Sequence, residues 1–447
     1  MINVLKQQWK KENNKDTSRK HTAKRFKMKE NKDKVLKIST AGSVDDGKST
    51  LIGRILYDTH SLTDDKLEAI KNSSKKKGYD YLDFSLATDG LVAEREQGIT
   101  IDVAHIYFST PNRSYIIADT PGHVEYTRNM VTGTSTSQVS IILIDARKGV
   151  IEQTKRHFFI NNLLRTKEIV VAVNKMDLID FDQEKYNTIV ADFETLITGS
   201  EFKDQNVTFI PVSALHGDNV VEKSKNLAWY KGLTMMEHLE GVRLEDIQEE
   251  AKARFQVQTV IRPKTEEHHD FRGYAGKLKG GELKVGDDVT VLPSGRKSQI
   301  KSISFFDQEY LAASEGSSIT ITLMDDVNVS RGDLIVKSEE LPKESKNITA
   351  KICWMDNQPL LASSTYFLQH GVKLVKSKIK SITHKISTDA TGEIEKVSEL
   401  NMNDLGLVEI QLAQPLHFDS YNENKGNGAF ILIDSKSNTT AGVGFWE

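Results

Sequence analysis

One short stretch, Gly42-Ser43-Val44-Asp45-Asp46-Gly47-Lys48-Ser49, constrains the fold more than any other part of the chain. It fits the spacing GxxxxGK[ST] and lies between the apolar run Val35–Thr40 and a helical segment. It therefore predicts a strand, a glycine-rich turn and a helix in succession. That succession is a phosphate cradle. The glycines let the backbone wrap an anion, and amides of the loop and of the helix N-terminus point inward. Lys48 reaches the β- and γ-phosphates, and the Ser49 hydroxyl takes a place on Mg²⁺, with Thr50 next in line on the helix.

From Val35 to about Val220, short apolar runs alternate with helix-length amphipathic segments, the pattern of a mostly parallel sheet with covering helices. Strands are expected at Val35–Thr40, Ile101–Phe108, Tyr115–Ala118, Ser140–Ile144, Ile169–Val173 and Val207–Val212. The near-continuous apolar runs Ile141–Ile144 and Ile169–Val173 suit strands buried on both faces. Three further motifs fall at the ends of these strands. Asp119-Thr120-Pro121-Gly122-His123 follows Tyr115–Ala118, so that Asp119 is expected to hold Mg²⁺ through water and the Gly122 amide to reach a γ-phosphate. Asn174-Lys175-Met176-Asp177 follows Ile169–Val173, and Ser213-Ala214-Leu215 follows the last strand, at the edge where nucleotides bind.

Together the last two motifs select guanine. The Asp177 carboxylate accepts from N1–H and the 2-amino group, where adenine offers neither donor; leaving such groups unpaired costs roughly 10⁴-fold in selectivity. Asn174 is expected to brace the loop, the Lys175 stem to lie along the base, and the Ser213–Ala214 backbone to meet O6. A tetrapeptide such as NKMD is weak alone and strong in register after the other motifs. Between the phosphate loop and Asp119 lies a long polar insertion, Asp58 to Gly90, ending in Glu94-Arg95-Glu96-Gln97-Gly98-Ile99-Thr100. This is the expected switch: Thr100 offers its hydroxyl to Mg²⁺ and its amide to the γ-phosphate only while that phosphate is present. His123, next to the phosphate-sensing glycine, is the candidate for positioning the attacking water, with Val44 and Ile99 as an apolar gate. The alternative for His123 is a packing or partner contact. His268-His269-Asp270 lacks the further ligands that a metal site needs.

Beyond a helix around Thr234–Leu239 the pattern changes to period-two alternation, as in Phe255–Ile261, Val289–Leu292 and Ile319–Leu323, with turns at Lys279-Gly280-Gly281, Pro293-Ser294-Gly295 and Arg331-Gly332-Asp333. A small antiparallel barrel is expected there. A break at Glu340–Lys346, containing Pro342, precedes a second β-rich set at Thr349–Trp354, Lys373–Ile386, Leu407–Leu412 and Phe430–Ile433. The expected organisation of the 447 residues is an arm (1–34), an α/β P-loop GTPase domain (35–250) and two antiparallel β-barrel domains (251–343 and 344–447).

Composition bounds the rest. No apolar run approaches the roughly 20 residues needed to cross a bilayer. One cysteine, Cys353, excludes an intramolecular disulfide and fits a reducing compartment, so the expected location is the cytoplasm. The net charge of −3 hides a lysine-rich arm, Met1 to Lys34, which contains Glu12, Asp16, Glu30 and Asp33. That arm has neither the apolar core of a secretory signal nor the acid-poor composition of a transit peptide. It reads as a solvated, frayed arm, the alternative being contact with an acidic partner or nucleic acid.

The P-loop, switch, DTPGH, NKMD and SAL elements, followed by two barrels, resemble the translation-factor GTPases. Elongation factors usually carry His where this chain has Asp46, and often Thr where it has Ser49. Gly42 to Arg54, Ala93-Glu94-Arg95-Glu96-Gln97-Gly98-Ile99-Thr100-Ile101-Asp102-Val103-Ala104, and Asp270-Phe271-Arg272-Gly273-Tyr274-Ala275-Gly276 resemble instead the large, GTPase subunit of two-subunit bacterial sulfate adenylyltransferase. Asp145-Ala146-Arg147-Lys148-Gly149-Val150, Gly217-Asp218-Asn219-Val220 and Trp229-Tyr230 are similar to that family too. The resemblance implies that GTP hydrolysis, with Mg²⁺, drives formation of adenylyl sulfate from ATP and sulfate. It also implies a heterodimer with a small PP-loop subunit that binds ATP and sulfate; neither a membrane nor nucleic acid is an expected partner. Some relatives carry a fused adenylyl-sulfate kinase with a second P-loop, which this sequence lacks. The alternatives are an elongation factor delivering aminoacyl-tRNA, whose barrels would need a basic RNA-contacting surface, and a regulatory GTPase with no coupled enzyme.

Overall fold

The structure, a computed structural model, describes residues 35–76, 82–84, 103–123, 127–243, 251–263, 271–306, 308–387 and 394–447. These form two compact units. One joins the region up to residue 252 with residues 341–447, and the other is residues 253–340.

The first unit is built on a six-stranded sheet of β1 (Leu36–Ala41), β2 (Ala104–Ser109), β3 (Ser114–Asp119), β4 (Val139–Asp145), β5 (Glu168–Asn174) and β6 (Asn206–Pro211), in the order β2-β3-β1-β4-β5-β6. All neighbours are parallel except β2, which runs antiparallel to β3 at the edge. Every residue of β4 is buried, as are all of β5 except Glu168, because helices cover both faces. Those helices are α1 (Lys48–Asp58), α2 (Asp64–Lys76), α3 (Thr127–Ser135), α4 (Glu152–Leu163), α5 (Gln183–Gly199) and α6 (Met235–Gly241). Leu51, Ile52 and Ile55 of α1 pack with Leu36, Ile38, Ile141 and Leu143 on one face, and Phe158 and Phe193 pack with Ile142, Ile144 and Val171 on the other.

Register brings the functional loops to one edge. Thr40 lies opposite Asp119, and Asp145 opposite Asn174. Gly42, Asp119, Asp145, Asn174 and Ser213 therefore stand at or just beyond the carboxyl ends of adjacent strands, where α/β sheets bind ligands.

Residues 343–447 of the same unit form a closed antiparallel barrel of six strands: Lys343–Trp354, Thr365–His370, Lys373–Ile386, Leu405–Phe418, Ala429–Ile433 and Thr440–Trp446. Trp354 and Trp446, each 1% exposed, fill its interior with Leu368, Ile379 and Ile410. Cys353, Met355, Leu405, Tyr421 and Phe445 face outward from that core and join Phe158, Ile160 and Phe193 of the α/β region in one apolar cluster. The second unit is likewise a closed six-stranded antiparallel barrel, of Arg254–Ile261, Gly273–Lys279, Asp288–Leu292, Arg296–Phe305, Ser318–Leu323 and Leu334–Lys337, filled by Phe255, Leu278, Val291, Ile303 and Ile321. The α/β domain with two β-barrels expected from the sequence is the fold observed.

Candidate functional site

Gly42 to Ser49 form the turn between β1 and α1. Gly47 adopts φ 94°, a left-handed conformation that glycine reaches without a Cβ penalty, and a Cβ there would stand 2.4 Å from Asn174 Nδ2. Because Gly47 has no side chain to cap α1, the first amides of the helix remain for an anion. By contrast, Asp182 caps α5 by accepting from Glu184 and Lys185, and Thr234 caps α6 in a capping box with Glu237.

Lys48 folds back across the loop, donating from Nζ to the carbonyls of Gly42 at 2.7 Å and Ser43 at 3.0 Å. Burial pushes its pKa down, opposed by the negative charges of Asp119, Asp46 and Asp45. Ser49 and Thr50 stand half-buried on the first turn of α1. Asp46 turns its carboxylate beneath the loop and accepts from the Ser43 amide at 2.6 Å, while Val44 and Asp45 form the turn between them.

The DTPG segment packs directly on this loop. Asp119 is 2% exposed and accepts from the Thr40 hydroxyl at 3.1 Å, and the Thr120 hydroxyl donates to the Thr40 carbonyl at 2.5 Å. Pro121 and Gly122 are buried. A Cβ on Gly122 would lie 2.2 Å from the Gly42 carbonyl and 2.5 Å from Lys48 Nζ, so glycine alone permits this approach. From behind, Gln153 of α4 donates its amide to the Gly122 carbonyl at 3.1 Å and lies 3.1 Å from His157 Nε2. Burial, aided by the positive charge of Lys48, pushes His157 down to about 3. The ring is neutral and accepts from Gln153. His123 is exposed immediately after Gly122.

At the other end, Asn174 connects three segments. Its Nδ2 donates to the Asp46 carbonyl at 2.8 Å, and its Oδ1 accepts from the Ala214 amide at 2.9 Å. Lys175, in a left-handed turn at φ 62°, donates to the Asp45 carbonyl and to Asp145 Oδ2 at 3.0 Å. Met176 is fully buried, and Asp177 sits partly buried with Oδ2 3.9 Å from His216 Nε2. Ser213 is buried, its Oγ accepting from the His216 amide at 3.3 Å. Leu215 presents its carbonyl to Arg54 Nη1 at 3.2 Å, and that guanidinium lies 5.5 Å from the Phe84 ring centroid.

Several participants lie outside the residues to which the motifs gave a role. Asp145, at the end of β4, accepts from Arg147 through both backbone and guanidinium and from Lys175. Burial raises its pKa, but these hydrogen bonds outweigh burial and hold the carboxyl far below its usual range. Gln153 and His157 were unmarked in the sequence, and Asp145 and Arg54 were marked only as parts of family-like segments; their tertiary neighbours reveal what these side chains do. Thr100 and Ile99, most of the Asp58–Gly90 insertion beyond Lys76, and His268-His269-Asp270 lie outside the described residues. Among the described residues, no group of three or more His, Cys, Asp and Glu side chains could hold a metal ion, and no helix is long and apolar enough to cross a membrane.

A P-loop at the switch of a parallel sheet, a DTPG turn pressed on it and an NKMD loop bound to its back define a GTP-binding domain of the translation-factor class. The family described as elongation factor Tu GTP binding domain matches residues 33–272, and that described as GTP-eEF1A C-terminal domain-like matches residues 347–447. Sulfate adenylyltransferase subunit 1 of Colwellia psychrerythraea is 48% identical over 421 residues, covering 94% of this chain and 89% of that protein. Its namesake in Bacteroides fragilis is 47% identical over 423 residues, covering 94% and 87%. The bifunctional enzyme CysN/CysC of Mycobacterium tuberculosis is 44% identical over 411 residues, covering 92% of this chain and 67% of that protein. The chain belongs to the sulfate adenylyltransferase subunit 1 family.

Proposed function

We propose that this chain is the GTP-hydrolysing subunit of a two-subunit sulfate adenylyltransferase. In this reading GTP hydrolysis drives a partner's conversion of ATP and sulfate to adenylyl sulfate and pyrophosphate. The observation that carries the GTP half is the Asn174 bridge. One side chain ties the Asp46 carbonyl of the phosphate loop to the Ala214 amide of the base loop, fixing the separation between a triphosphate cradle and a guanine-selecting carboxylate. The sulfate half is supported by relatives at 44–48% identity over more than nine-tenths of the chain.

Lys48 exchanges its two carbonyl partners for β- and γ-phosphate oxygens, and the loop amides complete the cradle. Asp177 accepts from guanine N1–H and the 2-amino group, and the Ser213–Ala214 backbone meets O6. Lys175 acts mainly by holding the loop, since its amine is committed to Asp45 and Asp145. Magnesium suits the available donors, the Ser49 hydroxyl and, through water, the buried Asp119 carboxylate, with Thr100 as the further ligand proposed from its motif. When bound, the ion neutralises charge on the phosphate oxygens. His123 orients the attacking water, and the Gln153–Gly122 bond holds the preceding turn against the phosphate loop.

Adenylyl transfer needs an adenine-nucleotide site, and the only GxxxxGK[ST] cradle of this sequence is committed to guanine. The partner, a small subunit of the PP-loop type, supplies the ATP and sulfate site. The working complex is a heterodimer in the cytoplasm, with the catalytic domain at 35–250, barrels at 251–343 and 344–447, and the arm 1–34 outside the nucleotide site. The test mixes this chain with its small subunit, ATP, sulfate and either GTP or GDP, and follows pyrophosphate and phosphate release together. The expected result is adenylyl sulfate only with both subunits, in an amount that depends on GTP turnover. Pyrophosphate release indifferent to GTP, or GTP turnover stimulated by ribosomes and not by the small subunit, overturns the assignment.

A further inference from the structure

The Asp46 carboxylate is the part of the phosphate loop that nucleotide binding, as described, leaves unexplained. Its side chain is 2% exposed. Oδ2 accepts from the Ser43 amide and so closes the turn, a task that a neutral amide oxygen performs equally well. Oδ1 is buried with no hydrogen-bond partner. An ionised carboxylate in that position is costly unless cations compensate it. Burial is the largest influence on it and pushes its pKa up; the Ser43 amide, Lys48 and Lys148 favour the charged form, and Asp145 opposes it. Lys148 lies in the loop between β4 and α4, with Nζ 3.8 Å from Oδ1.

Nucleotide binding changes this balance. A triphosphate draws Lys48 to its own oxygens and adds several negative charges above the loop. Asp46 thus loses much of its compensation from Lys48 just as the surrounding potential becomes more negative. Lys148 belongs to a different segment from the phosphate loop and reaches Asp46 Oδ1 independently of Lys48. Asp145, the last residue of β4 and three residues before Lys148, holds Lys175 against the Asp45 carbonyl, so two charges at this strand end brace consecutive residues of the cradle.

Resting on the reading of this site as a GTP site, we propose that Lys148 is a positioning residue that neutralises the buried Asp46 carboxylate when a nucleoside polyphosphate fills the loop, and so sets how tightly the polyphosphate is held. Its effect is state-dependent: small without nucleotide, where Lys48 shares the compensation, and large with nucleotide bound.

The experiment measures dissociation constants for Mg·GTP and Mg·GDP with the full chain and four variants: Lys148→Met, Lys148→Arg, Asp46→Asn and the double variant Lys148→Met/Asp46→Asn. Thermal melting of each nucleotide-free protein is followed in parallel. Lys148→Met is expected to weaken both nucleotides about tenfold, within the range of coupling between contacting charges, with little change in the nucleotide-free melting temperature. Lys148→Arg should stay within about twofold of the parent, because the charge persists. In the Asp46→Asn background, where no buried charge needs compensation, Lys148→Met should cost less than about twofold. An equal loss from Lys148→Met in both backgrounds would show that Lys148 acts on the phosphates directly and would overturn the proposal, as would unchanged binding by the single variant. Failure of the underlying reading looks different, since the parent protein itself would then bind neither GTP nor GDP.

Discussion

Asp177 is the second residue of the short turn Met176–Ile179, which begins directly after a left-handed Lys175, so its carboxylate is positioned by backbone geometry. Asp177→Asn is expected to move preference from guanosine to xanthosine triphosphate, because an amide donates where xanthine presents a carbonyl. Competition binding with GTP, XTP and ATP checks this, and equal affinity of the parent for ATP and GTP would remove Asp177 from its role. His123→Ala should leave GTP affinity within a few-fold and slow single-turnover hydrolysis by about 100-fold or more, since water positioning acts in the transition state. Lys48→Ala should lower both binding and turnover. An unchanged rate for His123→Ala would make that residue a structural one. Lys48, Asp119, Asn174 and Asp177 were legible because motif spacing fixes them to the ends of particular strands. Gln153 and His157 were not, because nothing local distinguishes them, and Asp145 stood only within a family-like segment with no role attached to it. The carboxyl of Asp145 matters only because β4 and β5 run side by side and bring Lys175 to it.

At the scale of elements, strands buried on both faces were the easiest to read. The runs Ile141–Ile144 and Ile169–Val173 lie inside β4 and β5, whose carboxyl ends reach Asp145 and Asn174 of the site. The edge strand β2 covers Ala104–Ser109, an alternating and partly exposed segment, and the expected start at Ile101 lies outside the described residues. Periodicity predicted a helix around Thr234–Leu239, and the structure shows what starts it. Thr234 accepts from the Glu237 amide at 3.2 Å while Glu237 accepts from the Thr234 amide at 2.8 Å. Thr234 is fully buried, and its hydroxyl also donates to the Val221 carbonyl at 3.2 Å. Thr234→Ala should therefore destabilise the protein by about 1–2 kcal/mol. Denaturant melts with an unchanged m-value would register this as a lower midpoint, and an unshifted midpoint would show that the cap contributes nothing.

Period-two alternation identified both barrels, but it could not tell which outward faces are covered by other parts of the molecule. The strand Lys343–Trp354 illustrates this: Ile352 and Trp354 point into the last barrel, while Cys353 points the other way into the apolar cluster shared with Phe158 and Phe193 of the α/β region. Polar contacts lock the same junction, with Tyr421 donating to the Leu164 carbonyl at 3.2 Å and Arg165 to the Asn422 side chain at 2.6 Å. Cys353 is 1% exposed, and burial pushes its thiol up from 9.0 to about 12. Between those two values the unfolded chain releases a proton that the folded chain keeps. The thiol's contribution to stability is therefore intact below about pH 9 and falls as pH rises toward 12. Thiolate is the reactive form, so at pH 8.5 the native thiol should resist a maleimide or an aromatic disulfide until the barrel separates from the α/β region or the protein unfolds. Tyr421→Ala, which removes one contact of the junction, should raise the native labelling rate well before it alters the circular dichroism of the whole protein. Labelling that tracks global unfolding alone in both proteins would show that the junction opens only when everything else does.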